Sequence, residues 1–287
     1  MHELRTGKAV KAKKLKNDIS RKLILITIKG IIMINITNLS RVFRTQDLET
    51  TALSNINLTV NEGEFVAIMG PSGCGKSSIL SILGMLDSPT TGRFEFAGTD
   101  IAAYSEKQLA QLRKISIGFV FQSFNLIDEL TVYENVELPL QYQKINKSER
   151  KKRVEAILKR VGIDHRSDHL PQQLSGGQQQ RVAVARALVS KPKAILADEP
   201  TGNLDSKNGD EVMAMLRELN KQGTTVIMVT HSEKEGNYAD RIVRLLDGQI
   251  MLDKANHTSV STSSTLASAI SSVQHSALPT DMPTEVA

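Results

Sequence analysis

At 287 residues, with 40% hydrophobic and 23% charged positions, the chain has the size and composition of a soluble globular protein with a substantial core. It contains no run of eighteen apolar residues, so no segment can cross a bilayer as a helix by itself, and its single cysteine, Cys74, excludes an internal disulfide and suits a reducing compartment. The formal charge of +5 is local: residues 1–32 hold nine Lys/Arg against two Asp/Glu, and the remainder lies near balance, which argues against the basic face of a nucleic-acid-binding domain.

Residues 1–22 are Lys-rich and polar, and 23–32 are mainly apolar but too short to span a membrane, with no cleavage site after them. This stretch is read as a basic extension, either disordered or touching anionic lipid, with the folded domain starting at Met33. Ile34, Ile36 and Leu39 then open a strand, and Ile56, Leu58 and Val60 alternate as in another. Residues 65–69 (FVAIM) form a continuous apolar run, as expected of a strand buried on both faces. Helical spacing follows over 76–86, with Ile79, Leu80, Ile82, Leu83 and Leu86 on one apolar side, and Phe94 and Phe96 suggest a short strand.

Residues 105–114 and 147–161 read as amphipathic helices, 117–121 as a strand, and 175–190 as a strong helix. Signals between 122 and 191 are mainly helical, which predicts a helical subdomain. Residues 194–197 and 224–229 read as buried strands with a helix over 206–221 between them. This alternation predicts a largely parallel sheet covered on both faces. From 254 to 287 there are thirteen Ser/Thr and few charges, so this segment is expected to be a disordered tail.

Five segments carry chemistry. Gly70-Pro71-Ser72-Gly73-Cys74-Gly75-Lys76-Ser77 has the spacing of a phosphate-cradling loop, with a buried strand before it and a helix after it. Backbone N–H groups would surround phosphate oxygens, Lys76 would reach the β- and γ-phosphates, and the Ser77 hydroxyl would coordinate Mg²⁺. Cys74 takes no catalytic role there, although it could be a modification-sensitive thiol. Asp198 ends an apolar strand and suits a metal ligand, and Glu199 is placed to polarise water. Gln122 ends another strand and could touch the metal or the water. His231 could contact the γ-phosphate or orient Glu199. Leu174-Ser175-Gly176-Gly177-Gln178 opens a helix and reads either as a simple Ser cap or as a second anion site for the nucleotide of another subunit. Phe43 is either a stacking platform for adenine or an ordinary edge residue.

As a set, these segments resemble the ATP-binding-cassette (ABC) ATPases over roughly residues 34–252, with Leu174 to Gln178, continued by Gln180-Arg181, as the most specific part. The resemblance implies an α/β P-loop NTPase fold over 33–253, with a RecA-like core, an antiparallel β subdomain and an α-helical subdomain at about 123–190. It implies ATP and Mg²⁺ as cofactors. ATP-binding positions would be Phe43, Gly70, Ser72, Gly73, Cys74, Gly75, Lys76, Ser77 and Ser78, metal positions Ser77, Gln122 and Asp198, and catalytic positions Glu199, His231 and Gln122. Two copies would sandwich two ATP molecules head to tail. Ser175, Gly176, Gly177 and Gln178 of one copy would then meet the phosphate held by Lys76 of the other, with Asp205 in the D-loop between them.

The runs 197–205 (ADEPTGNLD) and 121–126 (FQSFNL) resemble the MacB/LolD-like branch, which pairs with FtsX-like permeases in export, lipoprotein release or mechanotransmission. That implies a peripheral protein at the cytoplasmic face of a bacterial inner or plasma membrane. It would touch the membrane only through the permease, near 123–140, and would bind no nucleic acid. Phe43 stands where Tyr is commoner. An FtsE-like regulatory ATPase and a nucleic-acid-associated ABC ATPase are the alternatives.

Overall fold

The computed structural model describes residues 32–44 and 49–256. The extension and most of the Ser/Thr-rich tail expected from the sequence lie outside the described residues. In chain order the elements are β1 (Ile32–Arg44), β2 (Glu49–Asn61), β3 (Phe65–Met69), α1 (Lys76–Leu83), β4 (Thr91–Phe96), β5 (Thr99–Asp100), α2 (Glu106–Ser116), β6 (Ile117–Phe121), α3 (Val132–Tyr142), α4 (Lys147–Val161), α5 (Gly176–Leu188), β7 (Ala194–Asp198), α6 (Ser206–Lys221), β8 (Thr225–Thr230), α7 (Glu233–Gly236), β9 (Arg241–Leu246) and β10 (Gln249–Ala255).

Six strands form the central sheet in the order β10-β9-β3-β8-β7-β6. All neighbours are parallel except the edge pair β10 and β9. Strand β3 is buried along its whole length, and its side chains divide by parity. Phe65, Ala67 and Met69 enter a core shared with α3–α6. Val66 and Ile68 enter a second core, shared with α1 and the other sheet. Two-sided burial of this kind is why the sequence shows an unbroken apolar run instead of alternation. The second sheet, β2-β1-β4-β5, is antiparallel throughout. The chain is thus an α/β protein with an antiparallel β layer on one face of the parallel sheet and a helical layer on the other.

Three boundaries differ from the sequence reading. α1 stops at Leu83, and Gly84 donates to the Leu80 carbonyl, so Leu86 leaves the apolar side and is 51% exposed. Ile32, expected in the extension, pairs with Asn61. The expected tail at 254 starts too early, because Lys254 and Ala255 still pair with Ile242 and Arg241. Asn256 adds side-chain bonds from Nδ2 to the carbonyls of Gly236 and Ala239. Backbone pairing holds these residues despite their polar composition.

Candidate active site

Four neighbouring parallel strands, β3, β8, β7 and β6, end at the same edge of the sheet. The phosphate-loop sequence follows β3, His231 follows β8, Asp198 closes β7 with Glu199 behind it, and Gln122 follows β6. Register makes the convergence firm: Met69 pairs with Thr230, Asp198 with Val229, and Phe121 with Asp198. Strand ends in an open α/β sheet are where such folds place ligands.

The 70–77 loop is built around close backbone approach. A Cβ on Gly70 would collide with the Leu245 carbonyl of β9, and Gly248 N–H donates to the Cys74 carbonyl at 3.1 Å. Helix α1 begins at Gly75 (φ 103°) with no side-chain cap. By contrast Thr131, Asn146, Ser175 and Asp205 each cap their helix with a side-chain oxygen. The first N–H groups of α1 are therefore left to an external acceptor, and the helix dipole favours an anion there. Lys76 is 8% exposed, and its Nζ donates to the carbonyls of Gly70 and Pro71, both at 2.8 Å. Cys74 is buried at 3% exposure and packs in the second core, which corrects its reading as a modification-sensitive thiol.

Glu199 N–H donates to the Val229 carbonyl at 3.0 Å, so pairing with β8 continues one residue past β7. Its φ of 43° is left-handed, a conformation that costs a residue with a Cβ about 1–2 kcal/mol. The carboxylate lies 3.2 Å from His231 Nδ1, which donates to it when that nitrogen carries the proton. The Asp198 carboxylate has no hydrogen bond or ion pair among the described residues; the residue's backbone pairs in the sheet. Its carboxyl is pushed up from the ordinary 3.8, chiefly by burial and then by Glu199, with Lys76 opposing. A cation beside it would relieve that cost.

The donors near Asp198 fit Mg²⁺ in kind: the Asp198 carboxylate, the Ser77 hydroxyl and the Gln122 amide oxygen are hard oxygen ligands. Among the described residues no three His, Cys, Asp or Glu side chains cluster to hold a metal alone. That suits an ion shared with phosphate oxygens rather than a cage made by protein.

Ser175 caps α5, accepting from Gln178 N–H at 3.3 Å while Ser175 N–H donates to Gln178 Oε1 at 3.0 Å. The hydroxyl keeps its own proton to donate, so the cap and the anion-site readings are compatible. A Cβ on Gly177 would collide with Oδ1 of Asn208. Asn208 is in turn held by Asp205, which accepts from its N–H at 3.0 Å and its Nδ2 at 2.5 Å. The Asn208 backbone hydrogen bond, its largest cause, keeps the Asp205 carboxyl below its ordinary range.

Phe43 sits near the end of β1, 43% exposed, with the Arg41 guanidinium 4.5 Å from its ring centroid. Arg41 is anchored by Asp87 at 2.8 Å.

Three residues couple these elements in ways that no motif specifies. Gln180, fully buried, donates from Nε2 to the carbonyls of Phe121 and Pro200, tying α5 to the ends of β6 and β7. Asn203 and Gln122 bond reciprocally, Nδ2 to the Gln122 carbonyl (3.1 Å) and Gln122 Nε2 to Oδ1 (3.3 Å). Glu235 accepts from Thr230 Oγ1 at 2.7 Å and from Thr201 Oγ1, joining the β8 end to the turn after Glu199. Gln180 carried a signal as a continuation of 174–178, and Asn203 as part of the 197–205 run; Glu235 carried none.

A family model described as ABC transporter matches residues 53–202. An uncharacterized ABC transporter ATP-binding protein of Methanocaldococcus jannaschii is 52% identical over 219 residues, 76% of this chain and 98% of the relative. The macrolide export ATP-binding/permease protein MacB of Azoarcus is 47% identical over 224 residues, and the match covers 78% of this chain but 34% of that longer protein. A solved dimeric bacterial ABC transporter cassette superposes with a TM-score of 0.73 at 45% identity, over 78% of this chain and 98% of that one. A dimeric cassette in a post-hydrolysis state, bound to ADP and Pi, gives 0.72 at 44% identity over the same shares.

Proposed function

This chain belongs to the ABC transporter family and is its ATP-hydrolysing cassette; we propose that it drives a separate membrane permease by closing two copies over two ATP molecules. The observation that carries the reading is the split between a phosphate cradle with an uncapped α1 and a second, independently capped anion site at Ser175. One chain needs only one cradle per nucleotide. A head-to-tail pair uses both, because Ser175 of one copy completes the site of Lys76 in the other.

In this reading the α1 N–H groups and Lys76 bind the β- and γ-phosphates, with Lys76 leaving the Gly70 and Pro71 carbonyls for the anion. Ser77, Asp198 and Gln122 would hold Mg²⁺, which supplies charge neutralisation at the phosphates when bound. Glu199 accepts a proton from water as the water oxygen attacks the γ-phosphorus, and the bond to the β–γ bridging oxygen breaks to leave ADP and phosphate. His231 holds the Glu199 carboxylate in place. Phe43 stacks on adenine.

The permease is of the FtsX-like kind and serves export, lipoprotein release or mechanotransmission at the cell envelope. Relatives of the MacB type support this, since a macrolide export ATP-binding/permease protein joins an ATP-binding part and a permease in one chain. Among the described residues no helix is long and apolar enough to cross a membrane. In this reading the chain is held peripherally by the permease, at the cytoplasmic face of the bacterial inner membrane.

Mixing two inactive variants tests the shared site. Lys76→Ala and Ser175→Arg should each be inactive alone, while an equimolar mixture regains about a quarter of wild-type turnover, since half the dimers are mixed and each has one intact site. Full activity of Ser175→Arg alone, or no recovery on mixing, rejects the shared site.

A further inference from the structure

An exposed phenylalanine is a poor platform unless something holds its ring. Phe43 is 43% exposed near the end of β1, and it has no hydroxyl through which a hydrogen bond could fix it. The Arg41 guanidinium lies over the ring, 4.5 Å from its centroid. The two residues are two apart on β1, the spacing that puts side chains on one face of a strand.

Arg41 is itself held. Its Nε donates to Asp87 Oδ2 at 2.8 Å, and the two side chains are only 24% and 26% exposed. Oδ1 of Asp87 accepts from the Ser88 N–H at 2.8 Å, and the Asp87 N–H donates to the carbonyl of Ser81 in α1 at 3.3 Å. Thr90 grips the strand beside it. Its Oγ1 accepts from the Val42 N–H at 2.9 Å, and its own N–H donates to the Ser40 carbonyl at 2.8 Å. The segment leaving α1 therefore holds β1 on both sides of Arg41. The N-terminus of the same helix faces the proposed phosphate site, so one rigid element of eight residues, about 12 Å long, ties the phosphate end to Phe43.

We propose that Arg41 is a positioning residue for the nucleotide base: anchored by Asp87, its guanidinium covers one face of Phe43 and sets the ring so that the base stacks on the other. The inference rests on the reading of Phe43 as the adenine platform. A ring already held loses less freedom when the base arrives, and the cation over it is in place before the ligand binds. A planar guanidinium suits this double task, since its Nε can hold a carboxylate while its flat face lies on a ring. Arg41 does not touch the base and reads none of its edges. Stacking needs only a π-face, so the device favours a nucleotide over bare phosphate and does not separate adenine from guanine.

The test is calorimetric titration of the full chain with ADP, GDP and inorganic pyrophosphate, which share a diphosphate and differ in the base. Arg41→Met should weaken ADP and GDP binding about two- to fivefold and leave pyrophosphate binding unchanged. Asp87→Asn, which releases the guanidinium, should act in the same direction, and it carries the test should Arg41→Met fail to fold. Added to Phe43→Ala, Arg41→Met should have no further effect, because Arg41 acts through the ring. An equal loss for pyrophosphate overturns the proposal, since it would place Arg41 at the phosphates or in the general fold. So does a further loss in the Phe43→Ala background. Tighter ADP binding by Arg41→Met also overturns it, since the guanidinium would then be covering the face the base needs. If Phe43→Ala weakens ADP binding and Arg41→Met does not, this inference falls alone. If Phe43→Ala binds ADP as the wild type does, the platform reading beneath it falls as well.

Discussion

The two proposed anion sites of this chain are built in opposite ways. The cradle at Lys76 stands on strands that are buried and locked in register, so Lys76, Asp198, Glu199 and His231 are brought to one edge by the sheet itself. The Ser175 site stands at the start of a helix in a different layer, and side chains tie it to that edge: Gln180 to Phe121 and Pro200, Asn208 against Gly177, and Arg186 to Phe124 and Asn125. A sheet ladder moves as a block, whereas individual side-chain bonds can be exchanged at about 1 kcal/mol each. The first site is therefore the more rigidly held half, and the second is the half that the proposed cycle would move.

Substitutions at the fixed half should damage chemistry and spare the fold. Lys76→Ala should weaken ATP binding by more than tenfold in a fluorescent-nucleotide titration while the melting temperature holds; normal affinity would break the comparison at its base. Glu199→Gln should keep ATP affinity, slow turnover by about 10²–10³-fold, and trap a dimer visible by size exclusion. Unchanged turnover would remove Glu199 from the role of base.

The shiftable half should respond differently. Gly177→Ala must displace Asn208 and should cost about 1–3 kcal/mol, read as a lower melting temperature, with ATP still binding to the monomer. Loss of monomer binding would mean that the halves are not separable. Glu235→Gln weakens the link between Thr201 and Thr230, so turnover should fall several-fold with ATP affinity unchanged, and Glu235→Asp should restore part of it.

The smallest effect concerns Asp198. Because its folded value is raised above 3.8, the folded protein holds that proton longer than the unfolded chain does. Stability of the nucleotide-free protein should therefore fall as pH rises from about 3.8 through the raised value, and stay lowered above it. Asp198→Asn should melt slightly higher than wild type at pH 7 and match it at pH 3.5. A lower melting point at pH 7 would mean that Asp198 is paired rather than strained.

Much of the fixed half was legible in the sequence. Strands buried on both faces write themselves as apolar runs, as 65–69 and 194–197 do, and a polar residue directly after such a run marks a strand end. The β9–β10 hairpin went unread although Asp247-Gly248 carries a strong turn signal; both residues have positive φ, 45° and 73°. The basic character of Arg241 and Arg244 hid the strand, because their partners lie on other elements: Glu64 just before β3, Asp253 on β10 and Glu233 in α7. The coupling residues were out of reach for the same reason. Glu235 looks like any surface helix residue until tertiary structure brings Thr201 to it.

The Leu245 carbonyl that walls Gly70, and the Gly248 bond to Cys74, have a consequence for synthesis. The cradle's supporting wall is encoded about 175 residues after the loop it supports, close to the end of the described fold. A growing polypeptide still tethered to the ribosome would expose a loop of the right composition with nothing behind it. Affinity for ATP would then arrive late in translation, once the last hairpin has emerged, and nascent chains halted before residue 245 should not capture the nucleotide.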